Sequence, residues 1–108
     1  MTFDEYEHKA MLTALEYGEQ AFNYGGSGLA SEAGEVTGKL KRVIREDNNT
    51  ITPEMRESLK KELGDVLWYI NYLAVKLDIP LRDVAMANIE KLQSRKERST
   101  LKGQGDDR

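Results

Sequence analysis

The sequence predicts an all-α domain of four helices. Three observations carry this: apolar residues recur at three- and four-residue spacing in four stretches, no segment alternates with period two, and the connections between stretches are short. At 108 residues the chain amounts to one domain with one small core. So little surface is buried at that size that oligomerisation is expected.

Thr2 and Glu5 form a capping-box pair, and Met11, Leu15, Ala21 and Phe22 follow at near-helical spacing, which predicts a first helix over residues 3–23. The stretch YGGSG, residues 24–28, carries three glycines and is expected to interrupt the chain. Leu29, Ala33, Val36, Leu40, Val43 and Ile44 then give a second helix that ends in REDNNT. Thr52 before Pro53 is a cap and first-turn pair. The stripe from Met55 through Leu59, Leu63, Val66, Leu67, Ile70, Leu73 and Ala74 to Leu77 predicts the longest helix. Asp78 to Pro80 breaks the chain, and Leu81, Val84, Ala85, Ile89 and Leu92 carry the fourth helix. The domain is thus read as residues 1–98, followed by a flexible tail over 99–108 with basic residues and glycines.

Composition removes several functional classes. The absence of cysteine excludes disulfide frameworks, thiolate catalysis and zinc ribbons. The single histidine, His8, lies in a polar run and reads as a surface residue, leaving a serine-hydrolase relay or a diiron bundle without its ligands. With 16 basic and 19 acidic side chains, a net charge of −3, the chain lacks the balance of a nucleic-acid binder. No signal segment or membrane span is legible, so a soluble cytoplasmic protein is expected.

The informative feature is a repeated octapeptide pattern. Residues 29–36 read LASEAGEV and residues 59–66 read LKKELGDV; each sets two carboxylates three apart around a glycine within a helix. Like charges at that spacing repel, and a mid-helix glycine costs about 0.5–1 kcal/mol relative to alanine. Folding alone does not require either. On a helical wheel Glu32 and Glu62 border the apolar arc, and Glu35 and Asp65 lie about 60° beyond them on the same flank. Two antiparallel helices over one core are related by an approximate two-fold axis, so equal offsets bring all four acids together or keep all four apart. Gly34 and Gly64 favour convergence by admitting a neighbouring helix at each acidic turn. Four carboxylates in one cleft raise one another's pKa and need a counter-charge. An all-oxygen donor set selects Mg²⁺, with Mn²⁺ as substitute. Solvated helix flanks, answered by Lys39 or Lys61, are the alternative.

At Glu32, Glu35, Glu62 and Asp65 the chain resembles the MazG-like all-α nucleoside triphosphate pyrophosphohydrolases, whose mark is Glu-x-x-Glu followed by Glu-x-x-Asp. The resemblance covers about residues 28–92 and implies a bundle of packed helices. It also implies Mg²⁺ held by these four acids, and cleavage of an NTP or dNTP, including non-canonical ones, to the monophosphate and pyrophosphate. Either Glu32 or Glu35 would activate water. Lys39 and Arg42, along the Glu35 flank, are candidate phosphate ligands, with ordinary helix charge pairing as the rival reading. Asn88, read as lying on the apolar arc of the fourth helix, and Lys91 match the polar residue and lysine that the family brings to the nucleotide; a structural hydrogen bond is the alternative for Asn88. Trp68 and Val75 lie on the back of the third helix and predict a subunit interface, which with the resemblance implies a homodimer or a dimer of dimers; stacking on a base is the alternative for Trp68 or Tyr72. Arg98, Lys102 and Arg108 give the tail a basic character suited to closing over phosphates. Two other functions fit parts of the pattern: a phosphoribosyl-ATP pyrophosphohydrolase with a related acidic site, and a non-enzymatic helical interaction or regulatory module.

Overall fold

The computed structural model of the chain describes residues 1–98 and Gly105. It contains the four expected α-helices: α1 (Phe3–Met11), α2 (Ala21–Glu46), α3 (Pro53–Lys76) and α4 (Leu81–Glu97), with a 3₁₀ turn at Gly18–Gln20. No strand occurs among the described residues. Apart from Gly105, the expected tail over 99–108 lies outside them.

Where local chemistry is explicit, the structure follows it. Thr2 Oγ1 accepts from the Glu5 amide at 3.1 Å while Glu5 Oε1 accepts from the Thr2 amide at 3.3 Å, closing the capping box of α1. Thr52 caps α3 by accepting from the Met55 amide at 3.1 Å, with Pro53 in the first turn. Left-handed residues end both long helices. Asn48 and Asn49 (φ 51° and 59°) turn the chain so that the Asn49 amide reaches the Val43 carbonyl, and Asp78 (φ 59°) lets the Ile79 amide reach Ala74.

The first boundary is corrected. α1 stops at Met11, because the Ala10 carbonyl is taken by the Thr13 hydroxyl at 2.7 Å and the Trp68 indole at 3.2 Å, and Gly18 (φ 53°) then turns the chain. α2 starts at Ala21 and runs straight through YGGSG, making it the longest helix at 26 residues against 24 for α3. Two of the three glycines there, Gly25 and Gly28, serve packing. A Cβ on Gly25 would meet Leu73 at 2.6 Å, and one on Gly28 would fall within the ring of Tyr69. Gly34 and Gly64, expected to admit a helix at the acidic turns, have no atom within 4 Å of an added Cβ. The close approach occurs two turns earlier along α2.

α2 and α3 pack along each other as an antiparallel hairpin, with Gly25 against Leu73, Gly28 against Tyr69 and Lys39 against Glu62 in descending order. α1 and α4 rest on α3 and on one another. There Glu7 accepts from the Leu81 amide at 2.9 Å and caps α4, and Asp4 meets Arg82 at 2.9 Å. The small core holds Ala10, Ala21, Val43, Met55, Tyr72, Ala74 and Leu81.

This arrangement corrects the expected core face of α3. Leu63, Leu67 and Leu77 of the apolar stripe are exposed, whereas the back of the helix is covered by α1: Trp68 donates to Ala10 and to Thr13 Oγ1, and stacks on the fully buried Tyr72. Val75 lines a small cavity with Glu7, Asp78, Ile79 and Pro80. The back face therefore has partners within the chain.

Candidate active site

The α2–α3 hairpin turns its acidic flanks to the same side. Glu32, Glu62 and Asp65 each offer a carboxylate oxygen, and these oxygens all lie within 4.8 Å of one another. Glu35 is one helical turn from Glu32, exposed, and outside that group of three. Three of the four expected acids thus converge, with the fourth at the rim. The half-buried Glu32 carboxyl is held above the ordinary value of 4.5, first by burial, then by the negative charges of Asp65 and Glu62, a hydrogen bond with Glu62, and the charge of Glu35. A divalent cation bound by these oxygens would relieve that repulsion, and an all-carboxylate set suits a hard ion. The residues fit the metal that the sequence pattern implies.

Lys39 reaches into the same seam. Its Nζ donates to Glu62 Oε1 at 2.7 Å and to Ser58 Oγ at 2.6 Å, both partly buried, so an ammonium supplies one positive charge beside the acids. Arg42 instead lies beside Glu46 at 3.9 Å on the exposed surface. The other expected contacts are placed elsewhere. Tyr72 is fully buried beneath Trp68, its hydroxyl without a hydrogen-bond partner, and does not line the cleft. Asn88, expected on a buried arc, is exposed, and both it and Lys91 sit on α4, which packs on α1 and α3 but not on α2. A single chain does not bring them to the acids.

Of the aromatic wall of the site, sequence reasoning offered Trp68 as an alternative base-stacking residue but missed Tyr24 and Tyr69. A cavity of about 420 Å³ opens beside Glu32 and Asp65, lined further by Tyr24, Trp68, Tyr69, Thr13 and Leu15. Tyr17 stacks on Tyr24 at 3.9 Å between ring centroids, and Tyr69 donates to the Tyr24 hydroxyl at 3.3 Å. The phenol pKa of Tyr24 is raised first by the hydrogen bond with Tyr69, against a lowering by Tyr17, and that of Tyr17 is raised first by a hydrogen bond with Tyr24. Burial, followed by the nearby charge of Asp65, does the same for Tyr6 of α1. A signal existed: Tyr69 is four residues after Asp65 and shares its helix face, and Tyr24 is eight before Glu32, visible as a neighbour once the glycines between them are allowed to be helical.

Residues 22–100 match the MazG nucleotide pyrophosphohydrolase domain. The chain belongs to the MazG family. It is also 41% identical over 114 residues to the Gene 37 protein of Mycobacterium phage L5, with both chains covered in full. No solved structure matches. The MazG match spans the hairpin, both acidic octapeptides and α4, so the acids and the aromatic wall fall within the family's nucleotide pyrophosphohydrolase domain. Among the described residues no helix is long and apolar enough to cross a membrane.

Proposed function

We propose that the chain is a Mg²⁺-dependent nucleoside triphosphate pyrophosphohydrolase acting on ribo- or deoxyribonucleotides. The observation that carries this reading is the convergence of Glu32, Glu62 and Asp65 at the mouth of an aromatic-lined cavity. About 420 Å³ is within the usual range of small-molecule sites, and Tyr24, Trp68 and Tyr69 offer apolar ring surface to a base. In this reading the base enters the cavity and the triphosphate lies across the acids, where Glu32, Glu62 and Asp65 hold Mg²⁺, or Mn²⁺ in its place. When bound there, the ion would supply positive charge against the phosphates and polarise a phosphoryl oxygen. Lys39, beside Glu62, donates to phosphate oxygens. Glu35, outside the group of three, orients water toward the α-phosphorus. A bond forms between the water oxygen and that phosphorus as the Glu35 carboxylate accepts the water's proton, the bond to the α,β-bridging oxygen breaks, and pyrophosphate leaves with that oxygen and its electron pair. With no cysteine in the chain, a reducing cytoplasm is the proposed setting.

The test is pyrophosphate release from a panel of ribo- and deoxyribonucleoside triphosphates, with Mg²⁺, with EDTA, and with Glu62→Gln shown to be folded. Turnover that needs the metal is the expected result. The variant should fall by at least about 100-fold, since even residues that only orient metal ligands are typically worth 10–100-fold. No turnover of any nucleotide by the folded wild-type chain overturns the reading.

A further inference from the structure

Lys39 and Glu62 form an ion pair unlike those on the surface. Their side chains are only 21% and 16% exposed at a separation of 2.7 Å, whereas both members of Arg42–Glu46 and of Arg82–Asp4 are more than half exposed. Exposed pairs of that kind contribute little, because water and salt screen them, while a shielded pair feels its charges strongly. Sequence alone offers two lysines to answer the acids. Lys61, the neighbour of Glu62 in the chain, is exposed, and it is Lys39 from the opposite helix that reaches the seam.

The position of this ammonium matters because Glu62 is also one of the three acids whose oxygens converge. One carboxylate is thus sought by two cations. Coulomb's law, even at the dielectric constant of water, puts the repulsion between a single and a double positive charge a few ångströms apart at on the order of tenfold in affinity. Three carboxylates outnumber one ammonium, so the seam still attracts a doubly charged ion. Ser58 supplies the remaining part. It lies one helical turn before Glu62, is half-buried, and accepts from Lys39 Nζ at 2.6 Å, so the ammonium keeps a partner when it lets Glu62 go.

We propose that Lys39 is a tethered counter-ion that sets the affinity of the acids for a divalent cation: its ammonium holds Glu62 until the cation claims that carboxylate, and then withdraws to Ser58. The inference rests on the reading of these acids as a divalent-ion site, and not on which nucleotide bond is cleaved. It separates two roles for Lys39. A clasp that merely ties α2 to α3 would keep Glu62 in place, and losing it would weaken the binding of an ion. A competing charge does the reverse, and its removal strengthens binding. The arrangement also couples two events, since the ammonium is freed beside the acids at the moment an ion arrives, where a phosphate oxygen can accept from it.

The experiment is calorimetric titration of the full chain with Mn²⁺ alone, without nucleotide, for wild type, Lys39→Met, Ser58→Ala and the double variant, each checked for helical circular dichroism. Lys39→Met should bind Mn²⁺ about tenfold more tightly than wild type. Ser58→Ala should bind it at least about twofold more weakly, because the ammonium then has no second partner and holds Glu62 more firmly. In the absence of Lys39 the serine substitution should have no effect, as a double-mutant cycle reads directly. Equal or weaker binding by folded Lys39→Met overturns the inference while leaving the divalent-ion reading intact. No Mn²⁺ binding by wild type or any variant removes both. Should Lys39→Met unfold, Lys39→Gln, which still donates across the hairpin but carries no charge, decides by the same criterion.

Discussion

Among individual residues, Glu32 shows most directly what the site demands. Its carboxyl is raised by burial and by two neighbouring acids, so the folded chain holds its proton more tightly than the unfolded chain does. The penalty for ionising it is absent below the unfolded value of 4.5, grows as pH rises past that value, and is complete above the raised one. Glu32→Gln should therefore raise the melting temperature of the metal-free protein at neutral pH and lose that advantage at pH below 4.5. Thermal melts of both proteins across pH check this, and an equal gain at acid and neutral pH would show that charge is not the cause. Lys39 illustrates a different lesson. Its place one turn beyond Glu35 was legible, but its engagement with Glu62 and Ser58 of the opposite helix required the hairpin.

At the scale of elements, the sequence was most legible where a cap has a chemical signature and least legible where glycine has two meanings. Thr2 with Glu5, and Thr52 with Pro53, marked two helix starts correctly. Gly25 and Gly28 looked like a break but lie inside α2, where the missing side chains make room for Leu73 and Tyr69. A wheel does not tell these cases apart, since the reason for each glycine sits on another helix. The same limit explains why Leu63, Leu67 and Leu77 of the α3 stripe are exposed while Met55 and Ala74 are buried: periodicity reveals an apolar stripe without saying how much of it the same chain covers. Gly28→Ala would press on a ring fixed by the Tyr69–Tyr24 hydrogen bond and should destabilise the fold by about 1–3 kcal/mol. Gly26→Ala, with open space around its added methyl, should stabilise by about 0.5–1 kcal/mol. Urea melts of the two variants test this contrast, and similar effects from both would show that the close approach does not govern stability.

For the molecule as a whole, the small core and the exposed Leu63, Leu67 and Leu77 of α3 are one observation seen from two sides. If a second copy covers those leucines, as in the oligomer expected from the sequence, association adds to folding stability by mass action. Melting temperature should then rise with protein concentration, and the slope should flatten in Leu63→Glu; a wild-type melt independent of concentration would contradict that expectation. The site draws on three of the four helices. Asp65 of α3, beside Glu32 of α2, lies close enough to Tyr6 of α1 for its charge to act there, and the α1–α2 connection contributes Thr13 and Leu15 to the cavity wall. At the centre of that wall stands Trp68, whose indole N–H is tied to Ala10 and Thr13 and whose ring packs against Tyr69 and Tyr72. It is the only tryptophan in the chain. Its fluorescence is therefore a built-in optical probe beside the acids and the cavity, so the proposed arrival of a cation or a nucleotide can be tested in the unlabelled protein.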